Sequence, residues 1–440
     1  MPEHFQFAVT TAFRPEEADA LLRTVPAAAG VFALYGARAT DAPYLTQTTD
    51  MRRRMRRLLQ PSAGQTRRLN LRDKVVQISY TVVGSEFEAG LLLYQATRAV
   101  FGPAEARRRL KLRTPYCLRL TLENAFPRLY VTNRLSRRGL QESFGPFPSR
   151  AAAERACDAV LDLFLLRRCH EELAPFPEHP GCVYGEMKRC LEPCKAACTA
   201  TRYAEESARV LAFLESRGAS LLEQLERERE AASEAMEFER AASLHAQWLK
   251  TKAAAASLDE LVAPLTRVRA LVVQAAAHAQ APEAAIFLLE QGRLVGPARL
   301  STLGVRAVRE QAEAGSSLFA QPLLLAPVPE AQAAGQPGSD LADETPEAKA
   351  TSLLAGLQEQ AHHGPVELAE RSDALALLRR WYFRPEKQRT GEVVLPRPDG
   401  GWPVRRVLRA AARAALGNGR PATEPQDGEG QTTPVAQSPV

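Results

Sequence analysis

The sequence predicts an α+β protein built from several domains. At 440 residues the chain is long enough for about two to four domains with ample cores. Short apolar runs with a strand-like pattern fill the first 150 residues and return in residues 266–300. Residues 203–258 are instead rich in alanine, glutamate and arginine, with leucines at helical spacing. A segment with four closely spaced cysteines separates the first two regions.

The first 110 residues are predicted to form a small mixed α/β unit. Residues 30–35 form a strand pattern, and residues 43–45 begin a second short strand. Asp50 is a typical N-cap for a helix that ends before Pro61. A further helix is expected to begin near Ser85, with acidic residues in its first turn.

Residues 111–202 combine strands with the cysteine segment. Strands are predicted over residues 116–122 and 128–132, and a rigid turn over residues 144–148. Ser149 then caps a helix that is expected to reach about Leu166. The cysteine segment that follows is rich in proline and poor in apolar residues, so it cannot build a conventional core, which favours a metal staple.

The remainder is predicted to be helical and then mixed. A long helix is expected to run through Leu211 to about Met236, and a second helix to begin near Phe238, as a helical hairpin within residues 203–262. Residues 263–415 are predicted to be a reduced α/β domain with a helix over residues 366–383. Within it, residues 328–347 have the composition of a loop or linker. Residues 416–440 are predicted to be a disordered tail.

Charge is distributed unevenly along the chain. Residues 1–150 hold 24 lysines and arginines against 12 acidic residues, whereas the rest holds 33 against 39. A basic module typically meets a polyanion, because neutralising phosphates releases counterions. The densest basic cluster comprises Arg52, Arg53, Arg54, Arg56 and Arg57. We expect this cluster to contact DNA phosphates, although a solvated helix face would give the same pattern.

Several classes of protein are not expected. No run is long enough to span a bilayer, and the N-terminus lacks a basic region followed by an apolar core. We therefore expect a cytoplasmic protein with reduced thiols and no membrane partner. The sequence contains no P-loop pattern, so no ATP binding or hydrolysis is expected.

The cysteines have the order C-x12-C-x7-C-x3-C at Cys169, Cys182, Cys190 and Cys194, and Cys198 follows at once. Thiolates are soft ligands, and four of them match the needs of either zinc or an iron–sulfur cluster. The spacing alone leaves an iron–sulfur cluster, zinc and no metal all open.

Segments along the chain together resemble one family, the bacterial UvrC excinucleases. The resemblance covers about residues 25–260 and keeps the family's order and spacing. It is carried by Gly30-Val31-Phe32, Tyr44-Leu45-Thr46, residues 126–132, residues 144–147, the cysteine region, and residues 230–242. The first two segments are similar to the GIY-YIG nuclease domain, a small antiparallel sheet flanked by helices. Residues 230–242 are similar to the UVR motif.

The resemblance implies a cofactor and a partner. By position, it implies that Cys169, Cys182, Cys190 and Cys194 are ligands of a [4Fe–4S] cluster, with zinc as the alternative. It also implies that the UVR-like hairpin binds a UvrB-type protein. The apolar residues that could form the partner face are Met236, Phe238, Ala241, Ala242 and Leu244. A plain helical hairpin packed on its own chain is the alternative.

The nuclease site that the resemblance implies is degenerate. Tyr44 and Arg54 remain, but the family's first tyrosine is Phe32, which has no hydroxyl. The metal-binding glutamate falls on Leu93 or Tyr94, depending on a one-residue offset. Residues 102–106 replace the segment that supplies asparagine. Mg²⁺ or Mn²⁺ is therefore expected only if the site is active.

The C-terminal nuclease site of the family is also missing from the sequence pattern. Residues 293–296 resemble the opening strands of its RNase H-like domain, but no carboxylate set follows. Asp399-Gly400-Gly401 is predicted to be a turn, since Asp-Gly is a common turn dipeptide. A helix-hairpin-helix module is not recognisable either.

Three functions remain in competition at this point. The favoured one is a UvrC-like subunit of nucleotide excision repair that binds DNA and a UvrB-type partner, with cutting impaired or lost. The second is an active GIY-YIG endonuclease with a site rearranged around Tyr44, Arg54 and either Glu86 or Glu88. The third is a metal-stabilised adaptor with no role on DNA.

Overall fold

The computed structural model describes residues 5–38, 40–60, 69–171, 173–277, 283–302 and 345–416. Within these ranges the chain forms three four-stranded antiparallel sheets with helices around them, which confirms the predicted α+β class. Most of the predicted linker, residues 328–347, and almost all of the predicted tail, residues 416–440, lie outside the described residues. No helix in the described part combines the length and the apolar composition needed to cross a bilayer.

The N-terminal sheet has the strand order β1-β4-β2-β3. Its elements are β1 (Val9–Ala12), α1 (Ala18–Thr24), β2 (Gly30–Gly36), β3 (Tyr44–Thr48), α2 (Met51–Leu59), β4 (Val75–Val82), α3 (Glu86–Phe101) and α4 (Pro103–Arg109). The predicted cap of α2 is confirmed, because the side chain of Asp50 accepts a hydrogen bond from the third residue of that helix. Helix α3 begins next to Ser85 as expected, and the side chain of Ser85 accepts from the third residue of α3.

Alternation along β2 places two helical layers on opposite faces of the N-terminal sheet. Phe32 shares a core with Met51 and Met55 of α2, whereas Val31 packs with Ala89 of α3. Successive strand residues point to opposite faces, so α2 covers one face and α3 the other. This separation decides which of the predicted site residues can meet.

The middle sheet has the order β6-β5-β7-β8 and carries the cysteine region at its side. Its elements are β5 (Tyr116–Leu120), β6 (Leu129–Thr132), β7 (Ser143–Phe147), α5 (Arg150–Leu161) and β8 (Ala263–Pro264). Ser149 caps α5 as predicted, although the helix ends at Leu161 rather than near Leu166.

The long helix predicted from Leu211 to Met236 is wrong. The chain instead forms α6 (Val183–Glu186), α7 (Ala200–Glu215), α8 (Ala219–Glu234) and α9 (Phe238–Ala255). Arg217 and Gly218 separate α7 from α8, because both adopt a positive φ that a helix cannot contain. The predicted hairpin is formed by α8 and α9 alone.

The C-terminal sheet has the order β11-β10-β9-β12. Its elements are β9 (Ala270–Ala275), β10 (Glu283–Glu290), β11 (Arg293–Ser301), α10 (Pro346–His362), α11 (Leu368–Tyr382), β12 (Glu392–Val394) and α12 (Val404–Ala415). Leu271 and Ile286 pack with α10 and α12, whereas Val272 and Phe287 pack with α11. The predicted turn at Asp399 is confirmed, since its carboxylate accepts from the Gly401 N–H at 2.8 Å.

One core joins the two ends of the chain. Phe87 and Leu91 of α3 pack in a single apolar cluster with Leu378 and Trp381 of α11 and with Phe287 of β10. Helix α3 is therefore covered on one side by the N-terminal sheet and on the other by α11 and the C-terminal sheet.

Candidate functional site

Tyr44 and Arg54 meet as the resemblance implies. β3 presents Tyr44, and the second turn of α2 presents Arg54, whose guanidinium donates to the Tyr44 hydroxyl at 2.9 Å. Both side chains are half-buried. A hydroxyl held by a cation in this way can bind a phosphate oxygen together with that cation.

Phe32 contributes no chemistry to this pair. Its ring is fully buried in the core under α2, and its centroid lies 6.2 Å from that of Tyr44. The aromatic ring is retained for packing at a position where the resemblance implies a hydroxyl.

The two carboxylates named for a rearranged nuclease site, Glu86 and Glu88, are both engaged. Glu86 forms a bidentate ion pair with Arg384 at 2.5 and 2.7 Å, and this contact lowers the pKa of the Glu86 carboxyl. Glu88 is buried and accepts from the Gly84 N–H at 2.7 Å, and burial raises its pKa. Both belong to α3, on the face of the N-terminal sheet opposite to α2.

The two positions at which the resemblance implies a metal-binding glutamate both make structural contacts. Leu93 packs against Val31 on the α3 face of the N-terminal sheet. Tyr94 is buried and donates to Asp373 of α11 at 3.1 Å. Arg107 Nε lies 2.8 Å from the other oxygen of Asp373 in an ion pair. We call Tyr94, Arg107 and Asp373 the polar hub.

The predicted DNA-contacting arginines divide into two groups. Arg52 is fixed in the fold, because it donates to the backbone carbonyls of Val25 at 2.7 Å and Arg23 at 3.2 Å. Arg53, Arg56 and Arg57 are exposed, and they form no ion pair within the described residues. We call these three the arginine face. They line a shallow cavity of about 420 Å³.

The cysteine lobe, residues 167–199, is anchored at its base by Tyr203. The buried Tyr203 hydroxyl donates to the Pro127 carbonyl at 2.8 Å and accepts from the Arg167 N–H at 2.9 Å. The Phe176 N–H donates to the Cys194 carbonyl at 2.8 Å, which closes the long loop between the first two cysteines onto the last.

The four thiols lie close enough to influence one another. Burial raises the pKa of Cys190 to about 11, and the charges of Cys182, Cys169 and Cys194 add to the effect. Burial and the neighbouring cysteines also raise the pKa of Cys194. A soft cation would relieve this repulsion, so the donor set fits a sulfur-ligated metal.

The cysteine side chains are not arranged around one common metal position. Among the described residues, no group of three or more histidine, cysteine or acidic side chains is arranged to hold a metal ion. The two loop histidines have other contacts: His170 lies 2.5 Å from an Arg128 nitrogen, and His179 accepts from the Gly181 N–H at 3.0 Å.

The predicted partner face of the hairpin is only partly exposed. Met236 and Phe238, at the turn between α8 and α9, are 75% and 69% exposed. Ala242 is also exposed, whereas Ala241 is half-buried. Leu244 is buried in the core beneath the hairpin, so its side chain cannot contact a partner in this arrangement.

Several residues that define the site give no signal in the sequence. Arg384 and Asp373 are distant from the motifs along the chain, and their role and that of Arg107 depend on α11 packing against α3. Complementary charge is the only available signal, and it cannot select one pairing among many arginines and acids.

Comparisons with known proteins agree on one family. The family described as "UvrC/Cho excinuclease, middle domain" matches residues 116–213. UvrABC system protein C of Desulforudis audaxviator is 30% identical over 315 residues, which cover 68% of this chain and 49% of that relative. The protein of the same name from Symbiobacterium thermophilum is 31% identical over 255 residues, 58% of this chain and 39% of the relative.

A third relative gives the same result. UvrABC system protein C of Chlamydia trachomatis serovar D is 31% identical over 231 residues, 52% of this chain and 38% of the relative. The chain spans half or less of the length of these relatives. No solved structure matches. The matched middle domain and the 30% identity to a UvrC protein over 68% of this chain lead to the conclusion that the chain belongs to the UvrC family.

Proposed function

We propose that the chain is a UvrC-type subunit of nucleotide excision repair that binds DNA and a UvrB-type partner without cutting DNA itself. The observation that carries this proposal is the bidentate pairing of Glu86 with Arg384. A carboxylate that is already neutralised by an arginine is a poor ligand for a divalent cation.

Metal-assisted phosphodiester hydrolysis needs a carboxylate to hold the ion beside the leaving oxygen. The rearranged nuclease site would draw that carboxylate from Glu86 or Glu88. Glu86 is paired with Arg384, and the buried Glu88 accepts a hydrogen bond from a backbone N–H. Both side chains lie on the face of the sheet opposite to α2. The arrangement therefore supports a binding role for Tyr44 and Arg54 over a cleaving one.

The test is a cleavage assay on nicked-circle and bubble DNA with Mg²⁺ or Mn²⁺. We expect no cleavage above background. Metal-dependent cleavage that is abolished by Tyr44→Phe would overturn the proposal in favour of the active nuclease. If such cleavage is seen, Glu86→Gln shows whether Glu86 is the metal-binding carboxylate, because the protein would lose cleavage activity when a required metal ligand is changed.

DNA binding is assigned to the arginine face. Its three guanidiniums are free of ion pairs within the described residues, so each can neutralise a phosphate. Changing Arg53, Arg56 and Arg57 to Gln should weaken binding and lower the slope of log K against log salt by about one to three.

The matched control is the same change at three arginines of α12. Arg405, Arg406 and Arg409 are exposed and equally free of ion pairs within the described part of the chain. Their loss removes the same charge from another surface. Equal weakening by both triple variants would show that net charge, and not the arginine face, carries the binding. Absence of DNA binding at low salt would leave the metal-stabilised adaptor as the remaining function.

The partner site is assigned to the turn of the hairpin. Met236 and Phe238 expose most of their apolar surface, which is typical of an interaction site. Changing both to Asp should abolish capture of a UvrB-type protein with little loss of stability. Changing the exposed Leu69 and Val100 to Asp is the control, and equal loss there would contradict the assignment.

The cysteine lobe is assigned a [4Fe–4S] cluster held by Cys169, Cys182, Cys190 and Cys194. When bound, such a cluster supplies a covalent cross-link between loops and a redox centre. Anaerobic purification should give about four iron and four sulfide per chain and a visible absorption band. Cys190→Ser should remove the iron, the sulfide and the absorption band, whereas Cys198→Ser should remove none of them. Purified protein that contains zinc and no iron would overturn the assignment of an iron–sulfur cluster.

A further inference from the structure

A cavity lies at the interface between α3 and α11. Its volume is about 300 Å³, at the lower end of the range of ligand pockets. Gln47 of β3 and Leu93 of α3 both line it. The cavity therefore adjoins a position where the family resemblance implies a metal-binding carboxylate.

The charge of this cavity is opposite to that of a cation site. Arg109, Arg380 and Arg384 line it, and Glu86 is the only acidic residue among the described residues that do so. The lining thus carries an excess of positive charge. Burial lowers the pKa of Arg380, and the neighbouring Arg379 and Arg384 lower it further. A bound anion would relieve this repulsion.

The arginines keep donors to spare. A guanidinium has five N–H groups. Arg384 uses two nitrogens on Glu86, and Arg380 uses one nitrogen on the carbonyls of Leu110 and Lys111. Arg109 pairs with Glu105 through its Nε. Each side chain can still donate to a ligand oxygen.

Part of the cavity wall is apolar and aromatic. Phe87 and Trp381 line the cavity with ring centroids 5.2 Å apart. Trp381 is 3% exposed, and its Nε1–H finds no acceptor within the described residues. A buried N–H without an acceptor is unfavourable, and a ligand acceptor is one way to satisfy it.

A glycine keeps the cavity open. Gly90 lies in the middle of α3, where glycine destabilises a helix relative to alanine. A Cβ at this position would meet no atom within 4 Å, so backbone crowding does not require the glycine. Its lack of a side chain instead leaves room inside the cavity that it lines.

We propose that this cavity binds a nucleoside phosphate, with the arginines on the phosphate and the aromatic wall against the base. The phosphate is bound directly by arginine, without a metal ion. The ligand can be a free nucleotide or a nucleotide unit of single-stranded DNA, and both present the same chemistry. The site is separate from the arginine face, so this inference goes beyond the proposed function.

Calorimetric titration with dAMP tests the proposal. We expect saturable binding of dAMP, at least tenfold weaker binding of inorganic phosphate, and none of deoxyadenosine. Gly90→Leu should fill the cavity and weaken dAMP binding at least tenfold. Gly356→Leu is the matched control, because Gly356 is also a mid-helix glycine with open space at its Cβ, and it should bind as wild type.

A second pair of variants keeps the test decisive if Gly90→Leu fails to fold. Arg108 and Arg109 both pair with Glu105, but only Arg109 lines the cavity. Arg109→Gln should weaken dAMP binding severalfold, and Arg108→Gln should leave it unchanged. The triple change of the arginine face should not alter dAMP binding, so failure of one proposal is distinguishable from failure of the other.

The source of the ligand follows from a competing titration. A 5′-phosphorylated oligonucleotide that binds with the same dependence on Gly90 and Arg109 would assign the cavity to DNA. Absence of saturable dAMP and oligonucleotide binding, equal affinity for inorganic phosphate, or indifference to both Gly90→Leu and Arg109→Gln would overturn the proposal.

Discussion

At the scale of single residues, Asp373 has the most consequential environment. Its side chain is 1% exposed, and it joins the Tyr94 hydroxyl to the Arg107 guanidinium across the α3–α11 interface. Burial raises its pKa even though Arg107 opposes the shift. A buried carboxylate with two partners is stable only while both partners remain.

Asp373→Ala is expected to destabilise the protein by about 2–4 kcal/mol, because it removes the ion-pair partner of Arg107 and the acceptor of the buried Tyr94 hydroxyl. Urea unfolding followed by circular dichroism measures the change. Glu17→Ala removes an ion pair in which both side chains are more than 60% exposed and should cost less than about 1 kcal/mol. Similar costs for the two variants would contradict the role of the polar hub.

The Glu86–Arg384 pair is expected to make stability depend on acid pH. The folded protein holds the pKa of Glu86 below its ordinary value of 4.5, so the stabilisation is complete above pH 4.5 and is lost as pH falls through the folded pKa. Arg384→Gln should therefore lower the urea midpoint at pH 7 more than at pH 3. Arg14→Gln, at an exposed pair, should show no such difference.

The sequence predicts residues whose role is local. The caps Asp50 and Ser149, and the start of a helix near Ser85, follow from the chemistry of the next few residues. The role of Tyr94 cannot be predicted in this way, because its partner lies 279 residues away along the chain. Arg52 belongs to a cluster expected to contact phosphates, yet its distant contacts with backbone carbonyls fix it within the fold.

At the scale of elements, the break between α7 and α8 determines the direction of the hairpin relative to α7. Gly218 has a φ of +92° and sits against Ala255 at the end of α9. The break changes the direction of the chain between α7 and α8, whereas a continuous helix would carry the hairpin away from the core. The leucine pattern runs through this break and gives no sign of it.

Gly218→Ala is expected to cost about 2–4 kcal/mol. Alanine is strained at this φ, and its Cβ would lie 2.6 Å from the Ala255 Cβ. Gly364→Ala is the control, since its φ is +70° but no atom lies within 4 Å of the added Cβ, so it should cost about 1 kcal/mol. Thermal unfolding compares them, and equal shifts would show that crowding at Ala255 plays no part.

Elements are predictable where periodicity and caps agree, as for α2 and α5. The C-terminal sheet is predicted only in part. Its strands β9 and β10 are buried on both faces, so they appear as continuous apolar runs without the alternation that assigns a face. Which helix covers which face is therefore known only from the structure.

At the scale of the whole molecule, the shared core makes the N-terminal and C-terminal parts one unit. Phe87 and Leu91 bury their side chains against α11, so removal of either part would expose an apolar surface on the other. Separate stable modules would require a polar interface here, and the polar hub alone is too small to provide one.

We expect α3 and α11 to unfold in one cooperative step. Native-state hydrogen exchange, read by mass spectrometry, should give peptides from both helices the same opening free energy. Asp373→Ala should lower both values equally. The exposed hairpin turn at Met236 should exchange faster and serves as an internal control. A much lower value for α3 than for α11 would contradict a shared core.

The covering of α3 by α11 also has a consequence during synthesis. The ribosome releases α3 long before α11, because Tyr94 and Asp373 are 279 residues apart. At about 5–20 residues per second, the outer apolar face of α3 remains uncovered for roughly 15–55 seconds. The nascent chain thus carries a temporary need for chaperone protection that the finished protein does not have.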